Sequence, residues 1–156
     1  PGSGPRHLAF HPNGTRLYVA NELDSTVSVF AIADGRYTEI QTEPTVPPGT
    51  GENSVADIHL SPDGSRLYVS NRGHNSLAIF AVDGDGALQP LGHASCGGNW
   101  PRNFAIAPDG KHVLAGNQYS GDVAVLPVLD AAPWLGAAVA RLDVPQVACV
   151  AFLPGL

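Results

Sequence analysis

The sequence predicts an all-β chain of repeated four-stranded units, and three observations carry that prediction. Three segments fall into register on their turn residues: GPRHLAFHPNGTRLYVANELDSTVSVF, SVADIHLSPDGSRLYVSNRGHNSLAIF and NWPRNFAIAPDGKHVLAGNQYSGDVAVL. Their anchors Pro12, Pro62 and Pro108 lie 50 and 46 residues apart, the length of a four-stranded β-propeller blade and too long for a leucine-rich or ankyrin unit. Second, 18 Gly and 14 Pro among 156 residues point to short strands joined by tight turns. Third, apolar residues alternate with period two on both sides of each turn, as half-buried strands require. The expected architecture is a β-propeller sector of about three four-stranded blades plus one closing strand, with repeats near 4–50, 54–98 and 100–143 and the closing strand at 146–154.

Each element has its own reason. Leu8 and Phe10 alternate in the first strand, Leu17 and Val19 in the second, and Val27, Val29 and Ala31 in the third. Between the first two, Pro fixes φ, Asn13 (Asp63 and Asp109 in the later copies) caps its own backbone, and Gly takes a left-handed conformation, which ties a hairpin. Tyr37 to Thr42 supplies the fourth strand, and the remainder of 36–55 and 87–98 the crossovers, which vary in length as loops do. In the third copy 130–136 reads as a loop, and 137–142 as an outer strand or a short helix. The run CVAFLPGL repeats LAFHPNG, with Phe152 at the place of Phe10 and Pro154 at that of Pro12. Because the chain opens inside a repeat boundary, further blades are expected before Pro1.

Hairpin arithmetic then selects a site. A hairpin centred near residue 14 pairs residues whose numbers sum to about 28. This sets Arg6 opposite Glu22, Ala56 opposite Arg72 and Arg102 opposite Gln118. His7, Asp57 and Asn103 follow on the first strands, with Asn21, Asn71 and Asn117 on the second. First strands run parallel around a propeller channel, so these clusters gather at one mouth. By strand parity His7, Ala9, Asp57, His59, Asn103 and Ala105 line the channel, while Leu8, Phe10 and their equivalents pack between blades. Arg6, Arg72 and Arg102 are three of eight Lys and Arg residues, and their convergence would attract a carboxylate or phosphate. A purely structural alternative pairs Arg6 with Glu22 across the hairpin, and Asp57 is the alternative partner of the other arginines. The recurring asparagines read as blade-stabilising turns. His11, His74, His93 and His112 have no recurrent position and read as surface residues, whereas His59 stands where the other copies carry Ala9 and Ala105.

The bulk numbers narrow the partners. A formal charge of −6 and a pI near 5.3 oppose nucleic-acid binding, which needs a basic face. There is no apolar run of about 20 residues to cross a membrane and no secretion signal, so the expected setting is the cytoplasm. Cys96 and Cys149 form no metal or redox spacing and read as packed thiols. No GxSxG elbow, HExxH pair or glycine-rich phosphate loop occurs, so no cofactor or metal is expected. Open blade flanks and strand edges would invite self-association.

The GPRH, NEL, DIH, NR and PR elements, with the closing VPQVACVAFLP, resemble the lactonase family of seven-bladed propellers, which includes 6-phosphogluconolactonases and muconate-cyclising enzymes. The resemblance implies hydrolysis of a sugar lactone such as 6-phosphogluconolactone in a complete ring. It implies a small anionic sugar lactone as ligand. Arg6, Asp57, Arg72 and Arg102 would bind substrate, and His7, Glu22 or His59 would handle protons. It also implies earlier blades that contribute further polar residues, a candidate acid/base histidine among them. The LYVAN and LYVSN strands are similar to YVTN-type surface-layer repeats as well, for which the mouth would only bind; a third expectation is an inactive, truncated sector of the ring.

Overall fold

A computed structural model describes residues 2–153, and among them it contains strands and no helix. Twelve strands form three antiparallel sheets. Blade 1 holds β1 (Pro5–Phe10), β2 (Arg16–Asn21), β3 (Thr26–Ala33) and β4 (Arg36–Pro44); blade 2 holds β5 (Ser54–Leu60), β6 (Arg66–Arg72), β7 (Ser76–Val82) and β8 (Leu88–Ser95). Blade 3 holds β9 (Pro101–Ile106), β10 (His112–Asn117), β11 (Asp122–Pro127) and β12 (Ala140–Asp143). The 137–142 stretch is therefore strand, not helix, where it is regular: Arg141 pairs with Ala124 and Leu142 with Val123.

The turns form as their chemistry dictates. Gly14, Gly64 and Gly110 have φ of 72°, 73° and 70°, and their N–H groups donate to His11, Ser61 and Ala107. Asn13, Asp63 and Asp109 each accept a backbone N–H from two residues on, at 2.9, 3.0 and 2.9 Å. The side chain thus replaces a backbone acceptor and closes the turn.

Two cores lie between blades, not within them. Tyr18, Val27 and Val29 of blade 1 pack on Val55, Ile58, Leu67, Val69 and Phe80 of blade 2. Tyr68, Leu77 and Ile79 pack likewise on Phe104, Val113, Ala115 and Leu126 of blade 3. Burying one such side chain contributes about 1.5–3 kcal/mol, so each blade is stabilised chiefly by its neighbour. The expectation that Leu8 and Phe10 pack between blades fails in blade 1, where they are 55% and 53% exposed. No blade of this chain covers that face; Ile58 and Phe104, the equivalents of Leu8, are buried, and Leu60 and Ile106, those of Phe10, are half-buried.

The final segment runs beside β9. Val150 donates its N–H to Asn103 Oδ1 at 2.6 Å, and Val147 and Val150 lie against Gly116. It forms no ladder among the described residues, and Pro154, matched in sequence to Pro12, lies outside them. Cys96 is buried as expected, but Cys149 is exposed, because the segment that carries it covers β9 without being covered itself.

Candidate functional site

The inner strands β1, β5 and β9 bring the sequence-selected residues to the end opposite the Pro-Asn/Asp-Gly turns, but not through the register expected. His11 donates to Arg16 across the turn, so the loop is centred half a residue earlier and facing residues sum to 27: Leu8 with Val19, Phe10 with Leu17. A β-bulge then interrupts each inner pair. It falls between Pro5 and His7, between Val55 and Ile58, and at Asn117 opposite Pro101 and Asn103. Glu22 consequently faces Gly4, Arg72 faces Ser54 and Gln118 faces Trp100. Arg6 and Arg102 are the extra residues of their bulges, and a bulged residue is re-aimed off the sheet.

The re-aimed side chains link neighbouring blades. Arg6 Nη1 donates to Ala56 O at 2.7 Å, joining the bulge of β1 to that of β5. Glu22 binds Arg72 of blade 2, Nη2 to Oε1 at 2.5 Å, while Arg6 Nε stands 4.0 Å from its other oxygen. The expected cross-strand pair is thus the weaker of the two contacts. Arg72 is fixed further by donating to Ser54 O at 3.4 Å and Val55 O at 3.0 Å, and its guanidinium lies 5.6 Å over the Trp100 ring. Arg102 reaches Gln118 at 3.5 Å.

Asp57 is the centre of a second cluster. It is 2% exposed, and its oxygens accept from His7 Nδ1 at 2.6 Å, from His59 Nε2 at 3.0 Å, from Asn103 Nδ2 and from the Phe104 N–H at 3.2 Å. It is not the partner of Arg72 or Arg102. Burial alone would raise its carboxyl, but the hydrogen bonds from His59 and His7 and the Phe104 amide outweigh burial and hold it down at about 2. The carboxylate is ionised at neutral pH and accepts only, so both rings donate to it.

That assignment fixes the tautomers. His7 spends Nδ1–H on Asp57, and its Nε2 lies 3.1 Å from Arg6 Nη1, which can only donate; the lone pair of His7 is already engaged. His59 gives Nε2–H to Asp57 and keeps Nδ1 as acceptor. Its ring is held edge-on to Phe104 at 4.9 Å, and both histidine side chains are more than two-fifths exposed.

Positive charge is crowded at this mouth. Burial pushes the Arg6 guanidinium down, Arg72 beside it pushes the same way, Glu22 opposes them, and Arg102 adds to the lowering. Two guanidinium groups, Arg6 and Arg72, therefore share Glu22, while Arg102, bonded to Gln118, adds a third positive charge near Arg6. Such a cluster favours an anion.

The recurring asparagines are structural, as the sequence suggests. All three are buried, and Asn71 bonds Thr45 through both ends of its amide. His93 is exposed and His11, His74 and His112 are half-buried, all outside the cluster. Sequence reasoning passed over Trp100 and Tyr119, whose rings stack at 4.6 Å and 14° beside Arg72. Their signal was the alignment of Trp100 with Gly4 in front of the shared Pro-Arg. Among the described residues no cluster of metal-ligating side chains occurs, and no helix is long and apolar enough to cross a membrane.

Comparison with known proteins yields a consistent set. The family described as "Lactonase, 7-bladed beta-propeller" matches residues 1–152. A 6-phosphogluconolactonase of Formosa agariphila is 43% identical over 128 residues, covering 80% of this chain and 36% of the relative. The 6-phosphogluconolactonase of Bacillus subtilis is 36% identical over 157 residues, covering 98% and 45%. Among solved structures, a Lactobacillus plantarum protein superposes with TM-score 0.91 at 36% identity, over 97% of this chain and 46% of its own. A periplasmic gluconolactonase of Pseudomonas aeruginosa does so with TM-score 0.88 at 38% identity, over 94% and 41%. The chain spans less than half the length of the relatives it matches.

Proposed function

The chain belongs to the lactonase family of seven-bladed β-propellers, and on that premise we propose that it forms the substrate-holding and proton-handling wall of a sugar-lactone hydrolase, acting on an anionic lactone such as 6-phosphogluconolactone. One observation carries the reading: a buried carboxylate, Asp57, bonds two histidines beside Arg6 and Arg72, which share Glu22, with Arg102 close by.

Hydrolysis needs an activated water, a stabiliser for the tetrahedral oxyanion and a grip on the substrate's anionic group. Arg6 and Arg102 are re-aimed by their bulges and serve the grip and the carbonyl. Arg72, 6% exposed, offers only the part of its guanidinium not spent on Glu22 and the backbone. His59 takes the proton of the attacking water at Nδ1, the water oxygen bonds to the carbonyl carbon, and collapse of the oxyanion breaks the ring C–O bond. The same proton returns to the departing ring oxygen, which leaves an open hydroxy acid. Asp57 touches the histidines, not the substrate, so its role shifts from binding to positioning. His7, its lone pair facing Arg6, orients that arginine.

The test is hydrolysis of 6-phosphogluconolactone above its spontaneous rate by the complete seven-bladed ring that contains this chain, and by its His59→Ala and Arg72→Ala variants. Loss of the excess rate in His59→Ala supports the assignment, and equal rates in all three sink it. A binding-only mouth of the YVTN type would hold the ligand with no excess rate.

Two further readings accompany this one. The exposed Leu8 and Phe10 on the open flank of blade 1 favour self-association, which light scattering checks; a monomer at all concentrations would refute it. A sugar phosphate, too polar to cross a bilayer, fits the cytoplasm, and cell fractionation tests that setting.

A further inference from the structure

Trp100 occupies a backbone position that blade 1 gives to glycine. Its φ is +66°, and Gly4, the equivalent residue before Pro-Arg in blade 1, has φ +65°. Glycine adopts that region freely, whereas a bulky residue is strained there. The strained backbone is held from both sides: its N–H donates to Asn75 Oδ1 at 2.8 Å, and its carbonyl accepts from Gln118 N at 2.9 Å. In blade 1 a side chain at Gly4 would run into Leu23, 2.6 Å away. In blade 3 the corresponding residue is Tyr119, which stacks on the indole instead.

The ring does not repay this strain as a core residue. Trp100 is half-buried, its stacking partner Tyr119 is 60% exposed, and the pair lies on the rim of the mouth. The indole walls a cavity of about 460 Å³ whose other sides are Glu52, Asn53, Ser54, Arg72 and Gly73. Tyr119 stacks on the indole and the Arg72 guanidinium lies over it, so the cavity meets the part of the ring these two leave uncovered, with the polar residues Glu52, Asn53 and Ser54 around it; an apolar edge ringed by polar groups suits a hydroxylated carbon skeleton. The C–H groups of a sugar pack against the apolar indole, while the polar groups take the hydroxyls. Arg72 connects this cavity to the Arg6 and Glu22 cluster.

We propose that Trp100 is a substrate-contacting specificity residue, and that the cavity it walls beside Arg72 holds the hydroxylated part of the sugar lactone. The assignment of the ligand as a sugar rests on the lactonase reading above.

The test uses the whole chain with Trp134→Phe, so that Trp100 is the only indole. Methyl β-D-glucopyranoside, a neutral sugar, and 6-phospho-D-gluconate, the hydrolysis product, are titrated against Trp100 emission. Both should change it saturably, the phosphorylated probe about tenfold more tightly because it also engages the arginines. By calorimetry Trp100→Phe should keep affinity within about threefold and Trp100→Gly should lose about tenfold for both probes. Glycine suits the backbone, so Trp100→Gly should still melt cooperatively. A Trp100→Gly chain that binds both probes like its parent, or emission indifferent to both, overturns the proposal. The two readings separate cleanly. If emission responds but the complete ring shows no excess hydrolysis and Arg6→Ala leaves phosphogluconate binding unchanged, the lactonase reading falls and the sugar cavity stands. If hydrolysis depends on Arg6 while Trp100 stays silent, the cavity falls and the lactonase reading stands.

Discussion

Glu22 of blade 1 binds Arg72 of blade 2 at 2.5 Å, closer than it approaches Arg6 of its own hairpin at 4.0 Å. The pair makes the junction between blades and the mouth of the site one structure. Removing Glu22 leaves a guanidinium that is 6% exposed without its counter-charge. Glu22→Ala should therefore cost about 2 kcal/mol and lower Tm by roughly 4–8 °C, with Glu22→Gln costing less. Thermal unfolding by circular dichroism measures both, and an unchanged Tm in Glu22→Ala would mean that solvent already neutralises Arg72.

Asp57 orients both histidines without being free to touch substrate. Asp57→Asn keeps the size of the side chain but lets its amide turn a donor toward a ring, which upsets the tautomer of His59. On the proposed lactonase reading, the excess rate of lactone hydrolysis by the complete ring should fall about 100-fold or more with KM changed little. A rise in KM at constant kcat would return Asp57 to the substrate-binding role.

The same carboxylate makes stability depend on acid. Its pKa in the folded chain is about 2, against about 3.9 in an unfolded one. The folded value is depressed, so the contribution is fully present above about pH 4 and is lost as pH falls through 2; it amounts to roughly 2–3 kcal/mol. Urea midpoints of the native chain and Asp57→Asn should converge between about pH 4 and pH 2. Parallel midpoints across that window would refute the linkage.

Arg6 and Arg102 should discriminate by charge. On the proposed lactonase reading, replacing either with Ala in the complete ring should raise KM for 6-phosphogluconolactone by about tenfold while affecting unphosphorylated gluconolactone much less. Added salt should weaken the phosphorylated substrate selectively. Equal losses on the two lactones would place the arginines at the carbonyl alone.

Much of this molecule follows from local chemistry. The Pro-Asn/Asp-Gly turns, the alternation around Val27 and Val29, and the spacing of Pro12, Pro62 and Pro108 determine three blades, because turns and strand faces depend on residues near in sequence. The meeting of Arg6, Glu22, Arg72 and His7 at one mouth is also legible, since it needs only strand direction and repeat length. Partner choice is not. The bulges at Arg6 and Arg102 shift the inner register by a residue, and that depends on contacts between blades. Only tertiary structure gave Glu22 to Arg72, turned Asp57 inward to His7 and His59, and stacked Trp100 on Tyr119. Those pairings join residues far apart in the chain, and packing of blade on blade sets their distances.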